Sequence, residues 1–247
     1  MAQTFASRLR CFKAVATRIR RLPRTAVLSA LVVVATAYAP TLACAQSSDD
    51  SLRIYAVSIV KYTPSRFNGD GIYLGHGLVI TAAHVVGHWP SLTRPHVIVA
   101  DQDLPAKIIK EGSFEAVDLA LLSVDETLLP VSLRLRRNPL CKEPPRVGME
   151  VIDVSPKETA RARIISPMLI PPQFRAKYPT LITAPQRSGS GLFDAERKCL
   201  LGIMSAKVLK YNVRKRALGV FTKPNGYAGY FVPASTIASF IPPNFRF

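Results

Sequence analysis

The chain has 247 residues, 48% hydrophobic and 20% charged, which is enough apolar material for a packed core. That composition excludes a disordered chain, a collagen-like repeat and a disulfide-dense miniprotein. Lys and Arg number 33 against 16 acids, a net +17, and 20 prolines outnumber 13 glycines. Proline in that proportion, with short apolar runs, favours strands and loops over long helices.

Seven of the cations (Arg8, Arg10, Lys13, Arg18, Arg20, Arg21 and Arg24) fall in the first 25 residues, which hold no acid. Beyond them 26 cations face 16 acids, a net +10. Residues 26–39 are apolar and uncharged, and Pro40 ends the run. As a helix this run spans about 21 Å, short of a bilayer core of about 30 Å. A basic head, a short apolar run and the small residues Ala43-Cys44-Ala45 read as an export signal over residues 1–45, cleaved before Gln46. The mature domain is then 46–247, and the expected location is periplasmic or secreted. Cys44 after Leu42-Ala43 leaves a lipid-anchored form open, with Thr41 against it, and a retained anchor is a third reading. The long basic head also leaves open a start codon placed too far upstream. A net +10 suits an anionic partner such as an envelope surface. No aromatic RNA-binding pattern, zinc knuckle or recognition helix points to nucleic acid.

In the mature chain, β-branched and apolar runs predict strands at 54–60, 72–74, 77–80, 96–100, 106–109, 118–124, 149–154, 181–183 and 200–205. Asn68-Gly69-Asp70-Gly71 predicts a turn between the first two. The basic stretch 207–216 reads as a solvated loop, or more sharply as an attractor of acidic substrates or an anionic surface. A helix with a serine cap is expected at 233–241. Short strands with turn chemistry between them predict a single all-β domain. Cys141 and Cys199 are the two cysteines of the mature chain, and an even pair in an exported protein predicts one disulfide.

Three local patterns carry chemistry. Thr81-Ala82-Ala83-His84 ends a strand in a small-residue turn that presents a histidine. Asp118-Leu119-Ala120-Leu121-Leu122 opens an apolar strand with an acid. Arg187-Ser188-Gly189-Ser190-Gly191-Leu192-Phe193 holds two serines among glycines, followed by Gly202-Ile203-Met204-Ser205. Acyl transfer by serine needs a base for its proton, an acid to hold the imidazole tautomer, and N–H donors for the oxyanion. All three residue types are present.

These motifs, in this order, resemble those of trypsin-like (chymotrypsin-fold) serine proteases of the bacterial secreted type related to the HtrA proteases, without a PDZ domain. Gly229-Tyr230-Phe231-Val232-Pro233 resembles the family's last strand, and the resemblance covers residues 52–241 or so. It implies two six-stranded antiparallel β-barrels with a short C-terminal helix. It implies a secreted serine endopeptidase with His84 as general base, Asp118 orienting it and Ser188 forming the acyl-enzyme. Ser188 fits the spacing to Leu192-Phe193 better than Ser190, and His76 and His88 stand outside the motif. Ser205 is assigned a supporting contact to Asp118, and the amides of Ser188 and Gln186 the oxyanion hole. A protein or peptide substrate, a monomer, and neither cofactor nor metal are expected.

Two positions depart from the family. Gln186 stands where glycine is usual, and Arg187 where Asp or Asn is usual. Arg187 cannot accept a newly formed N-terminal amine, so activation by that switch is excluded. The segment before Ser188 is short, and counting back six residues puts Ile182 at the base of the specificity pocket, implying an apolar or small side chain at the cleavage site. The departures keep a second reading open: a weakened or inactive trypsin-like domain that binds at an anionic surface.

Overall fold

A computed structural model describes residues 49–61, 68–87, 94–185, 187–216 and 219–245, with the backbone alone over 211–224. The expected export signal, His88 and Gln186 lie outside the described residues. Asp50–Tyr55 forms a 3-10 turn, so the first strand, β1 (Ala56–Val60), starts two residues later than the apolar run suggested. Its alternating burial matches the two-residue period of a strand with one face inward.

Six more strands follow in the first half: β2 (Asn68–Gly75), β3 (Leu78–Thr81), β4 (His96–Val99), β5 (Gln102–Pro105), β6 (Lys107–Glu111) and β7 (Ala120–Ser123). They form one antiparallel sheet in the order β5-β4-β1-β2-β3-β7-β6. The two end strands of that order, β5 and β6, are joined by Ala106 alone, so the sheet must curl until its edges meet. The first barrel thus has seven short strands, because Ala106 interrupts what the family pattern implies is one. Val57, Ile59, Tyr73, Val79, Val97 and Leu122 fill it.

The second half is a closed six-stranded barrel in the order β10-β13-β12-β11-β8-β9. Its strands are β8 (Glu150–Val154), β9 (Thr159–Ile165), β10 (Leu181–Thr183), β11 (Gly191–Asp194), β12 (Leu200–Arg216) and β13 (Gly219–Pro233). Closure leaves no free edge. A short helix (Ala234–Phe240) follows; Pro233 is its N-cap and no side chain caps it, contrary to the serine cap expected.

A third apolar cluster lies between the barrels. Ile72, Leu74, Ile80 and Leu121 of the first half pack with Ile152, Phe193, Ile203 and Val232 of the second, and with Ile237, Phe240 and Ile241 at the C-terminus. Protein interiors pack at crystal-like density and transmit strain, so this shared core fixes one barrel against the other. The Cys141–Cys199 disulfide adds a covalent tie between the inter-barrel connection and the β11–β12 turn, as the cysteine count predicted.

Two expectations need correction. The sequence 68–71 is not a turn: it is the start of β2, pairing with β1 from Val60↔Asn68 to Val57↔Gly71. Its glycines serve close packing, since a Cβ on Gly71 would meet Ile59 and Val79 at 3.1 Å. The connection between β1 and β2 lies outside the described residues, and the next reversal, from β2 into β3, is at Gly75-His76-Gly77, where all three residues have positive φ. The basic stretch 207–216 is not a loop either. It continues β12, paired with β13 as far as Arg216↔Gly219, because Val208 is buried with Ile170, Leu181 and Ala228 and holds the ribbon to the barrel.

Candidate active site

His84 sits on α1 (Ala83–Val86), a single helical turn entered from β3 through Ala82 and closed by Gly87. Ala82, Ala83, Val85 and Val86 are all buried, so the turn is packed on every side but one. Gly69 makes room for it: a Cβ there would clash with both methyls of Val85. Only the His84 side chain, 27% exposed, faces outward.

Asp118 precedes β7 and is 3% exposed. Its Oδ2 lies 2.8 Å from His84 Nδ1, and its Oδ1 accepts from the His84 amide at 3.0 Å. The Ser205 hydroxyl donates to the same Oδ2. Burial works against the charged carboxylate, but the hydrogen bonds from the His84 ring, Ser205 and the His84 amide outweigh it and hold the carboxyl below its usual range. A buried carboxylate accepts, so Nδ1 carries the proton and leaves Nε2 as the acceptor.

Ser205 reaches Asp118 because β12 is irregular there. Met204 pairs with Phe231 and Ala206 with Tyr230, so Ser205 is the extra residue of a β-bulge. A bulge re-aims its side chain and leaves its carbonyl outside the ladder. That carbonyl accepts the hydroxyl of Ser188 at 3.1 Å. His84, Asp118, Ser205 and Ser188 are therefore joined in one chain of hydrogen bonds across the seam of the barrels.

Ser188 lies in a turn that Gly189 makes feasible. Gly189 has φ +87°, its amide donates to the Met204 carbonyl at 2.8 Å, and a Cβ there would overlap the Asp70 carbonyl. The two candidate serines are now distinct. Ser188 is half-buried at the seam; Ser190 is 0% exposed, and its hydroxyl has no partner among the described residues. No hydrogen bond joins Ser188 to His84 among the described residues.

Other sequence candidates fall elsewhere. His76 is in the β2–β3 turn and contacts Arg137 at 3.1 Å. Ile182 is not at a pocket base: it is 0% exposed in β10, inside the second barrel core with Leu192 and Phe231. A three-residue strand between β9 and β13 must alternate inward and outward, and Ile182 takes the inward place. The aromatic edge over the histidine had no sequence signal. Phe114 meets the His84 ring edge-on at 5.6 Å, and Lys177 from the second barrel stands 5.0 Å above the Phe114 ring. A lone Phe among charged residues of a loop carries no motif. Among the described residues, the one group of metal-ligating side chains is Cys141, Asp194 and Cys199, whose two sulfurs are bonded to each other.

No protein-family model matches the chain, and no curated protein matches its sequence. Solved structures do match in shape. The active form of the Rv3671c protease from M. tuberculosis superposes with a TM-score of 0.54 at 20% identity, over 92% of each chain. Kallikrein-related peptidase 10 gives 0.54 at 18% identity, over 78% of this chain and 96% of its own. The HtrA-type protease AlgW, solved with a tripeptide, gives 0.54 at 18% identity, over 77% of this chain and 60% of its own. The chain has the trypsin-like two-barrel fold that these proteases share.

Proposed function

We propose that the chain is an exported serine endopeptidase that cleaves protein or peptide substrates through an acyl-enzyme. The observation that carries this reading is the hydrogen-bonded chain from His84 through Asp118 and Ser205 to the half-buried Ser188. The fold shared with proteases supports it, as does AlgW's tripeptide. Export rests on the basic head and apolar run of residues 1–45.

In this mechanism the Ser188 hydroxyl leaves the Ser205 carbonyl by rotation about χ1, a change between staggered wells. Its Oγ attacks the scissile carbonyl while its proton passes to His84 Nε2. Asp118 keeps the ring in the competent tautomer and stabilises the imidazolium. The Ser188 amide, with that of Gln186, donates to the oxyanion. Collapse expels the amine, which takes the proton from His84. Water then repeats the sequence on the acyl-enzyme.

A fluorophosphonate probe, followed by peptide mapping of the mature domain, tests this. Label on Ser188, and its loss in Ser188→Ala with an unchanged melting temperature, is the expected outcome. Loss of a triad nucleophile costs orders of magnitude in rate. Label on Ser190 would overturn the assignment of the nucleophile. Absence of label would favour an inactive binding domain at an anionic surface.

A further inference from the structure

Asp70 is a buried carboxylate that the mechanism above does not use. It stands on β2, 2% exposed, against the turn that carries Ser188. Its backbone is already part of that turn's wall. The Asp70 amide donates to the Ser188 carbonyl at 3.0 Å, and its own carbonyl accepts from the Thr81 hydroxyl at 2.6 Å. Its side chain is under-satisfied: among the described residues Oδ2 has no hydrogen-bond partner, and Arg187 Nε stands 3.9 Å from it. Arg187 is anchored to the same strand by a bond from its guanidinium to the Asn68 carbonyl at 3.0 Å.

The residue immediately before Ser188 is therefore held to the first barrel at two points, one of them an ion pair. Around Asp70, β1 offers Ser58 opposite, β3 offers Thr81, and α1 offers His84, whose ring is turned to Asp118. Charges reach it from Arg187 and from Lys157 in the β8–β9 turn. We propose that Asp70 is a positioning residue, whose cross-barrel pair with Arg187 sets the turn from which Ser188 reacts. This rests on the serine-protease reading for its effect on rate, but not for its effect on the turn.

The pair carries a pH dependence. Burial pushes the Asp70 carboxyl up to about 6, with Arg187 and Lys157 pulling the other way. Below that value the pair loses its anion. At pH 8 a carboxylate in this setting costs stability relative to a neutral amide, because its ionised form is disfavoured by burial.

Two variants and two readouts test the proposal. Asp70→Asn keeps the shape and removes the charge; Arg187→Gln does so from the 41% exposed side. Each should lower kcat at pH 8 by about 10- to 100-fold with KM little changed, the scale expected for a misplaced reacting group. The double variant should be no slower than either single one. The melting temperature of Asp70→Asn should hold or rise at pH 8, which a merely structural role would not give. Amide hydrogen exchange at Asp70 and Gly189 should quicken in both variants, and this arm reads the turn without catalysis. If wild type takes the probe but neither variant changes kcat or exchange, the positioning role is wrong and the protease reading stands. If wild type does not take the probe, the protease reading fails and exchange alone decides the role of Asp70. A parallel fall in kcat and melting temperature in Asp70→Asn, with Arg187→Gln unaffected, would reduce Asp70 to packing and overturn the proposal.

Discussion

The packing beneath His84 makes a quantitative prediction about Gly69. It lies in β2 opposite Ile59, in extended backbone that alanine accepts, so Gly69→Ala adds only a methyl. That methyl would meet Val85 Cγ2 at 2.6 Å, Cγ1 closer still, and Cβ at 3.1 Å. Ordinary contact needs about 3.4 Å or more, so Val85 must retreat by nearly 1 Å. Val85 is the neighbour of His84 in a one-turn helix with no slack. Overpacking of this kind costs about 1–3 kcal/mol of stability, and a displacement of about 1 Å at a reacting group costs about 10²-fold in rate. Gly69→Ala should therefore lower kcat on a small ester by about that factor with little change in KM. Val85→Ala removes both clashing methyls and leaves the tight contact at 3.1 Å, so the double variant should regain most of the lost rate. Ester kinetics and probe-labelling rates measure both. A double variant as slow as Gly69→Ala, or a single variant at the wild-type rate, would refute the idea that Val85 transmits the strain.

Two further outcomes follow from the same structure. The disulfide closes a separation of 58 residues, for which the chain-entropy model gives about 4 kcal/mol, so Cys141→Ala/Cys199→Ala should melt well below wild type; mass measurement of the oxidised protein should find no free thiol at either position. Asp118 is held below its usual range, so its contribution is fully present above the unfolded value of 3.8 and is lost as pH falls through the lower folded value. Ser205→Ala removes one of the donors responsible, so acid unfolding followed by circular dichroism should begin at higher pH than in wild type.

Much of this was legible in the chain because strong local patterns survive folding. The run 181–183 is β10 residue for residue, and Thr81-Ala82-Ala83-His84 becomes a strand end and a helical turn. Two of the misreadings share one cause: a residue type with two physical uses. Glycine supplies turns, and it also lets two elements approach; at 69 and 71 the second use won, which only the position of Val85 and Ile59 reveals. Lysines and arginines at 207–216 suggested a loop, yet their backbone continues β12, paired with β13. Ile182 failed as a pocket base because counting along the chain ignores which way a strand residue points. Asp70 was hidden inside the supposed turn, and Phe114 has no neighbours in sequence that mark it.

The places where this chain breaks local rules are themselves informative. Among the described residues, five that are not glycine have positive φ: His76, Ala100, Asp101, Ala184 and Lys198. Four of them close tight turns between paired strands, where such backbone is expected. Ala184 alone does not; it follows β10 and starts the segment that leads to Ser188. The β12 bulge at Ser205, the unpartnered hydroxyl of Ser190 and the unpartnered Oδ2 of Asp70 surround the same turn. Each costs stability that an apolar or regular alternative would not. Unpartnered buried atoms also occur away from this turn among the described residues, at the side chains of Asn138 and Arg134; the inter-barrel core is placed to offset the cost at the turn, since it fixes β2 and β11 together through Ile72, Phe193 and their neighbours. Irregular backbone and under-satisfied polar atoms at a turn braced by an apolar seam are compatible with the reacting group proposed at Ser188, and the probe labelling of that residue decides whether they serve it.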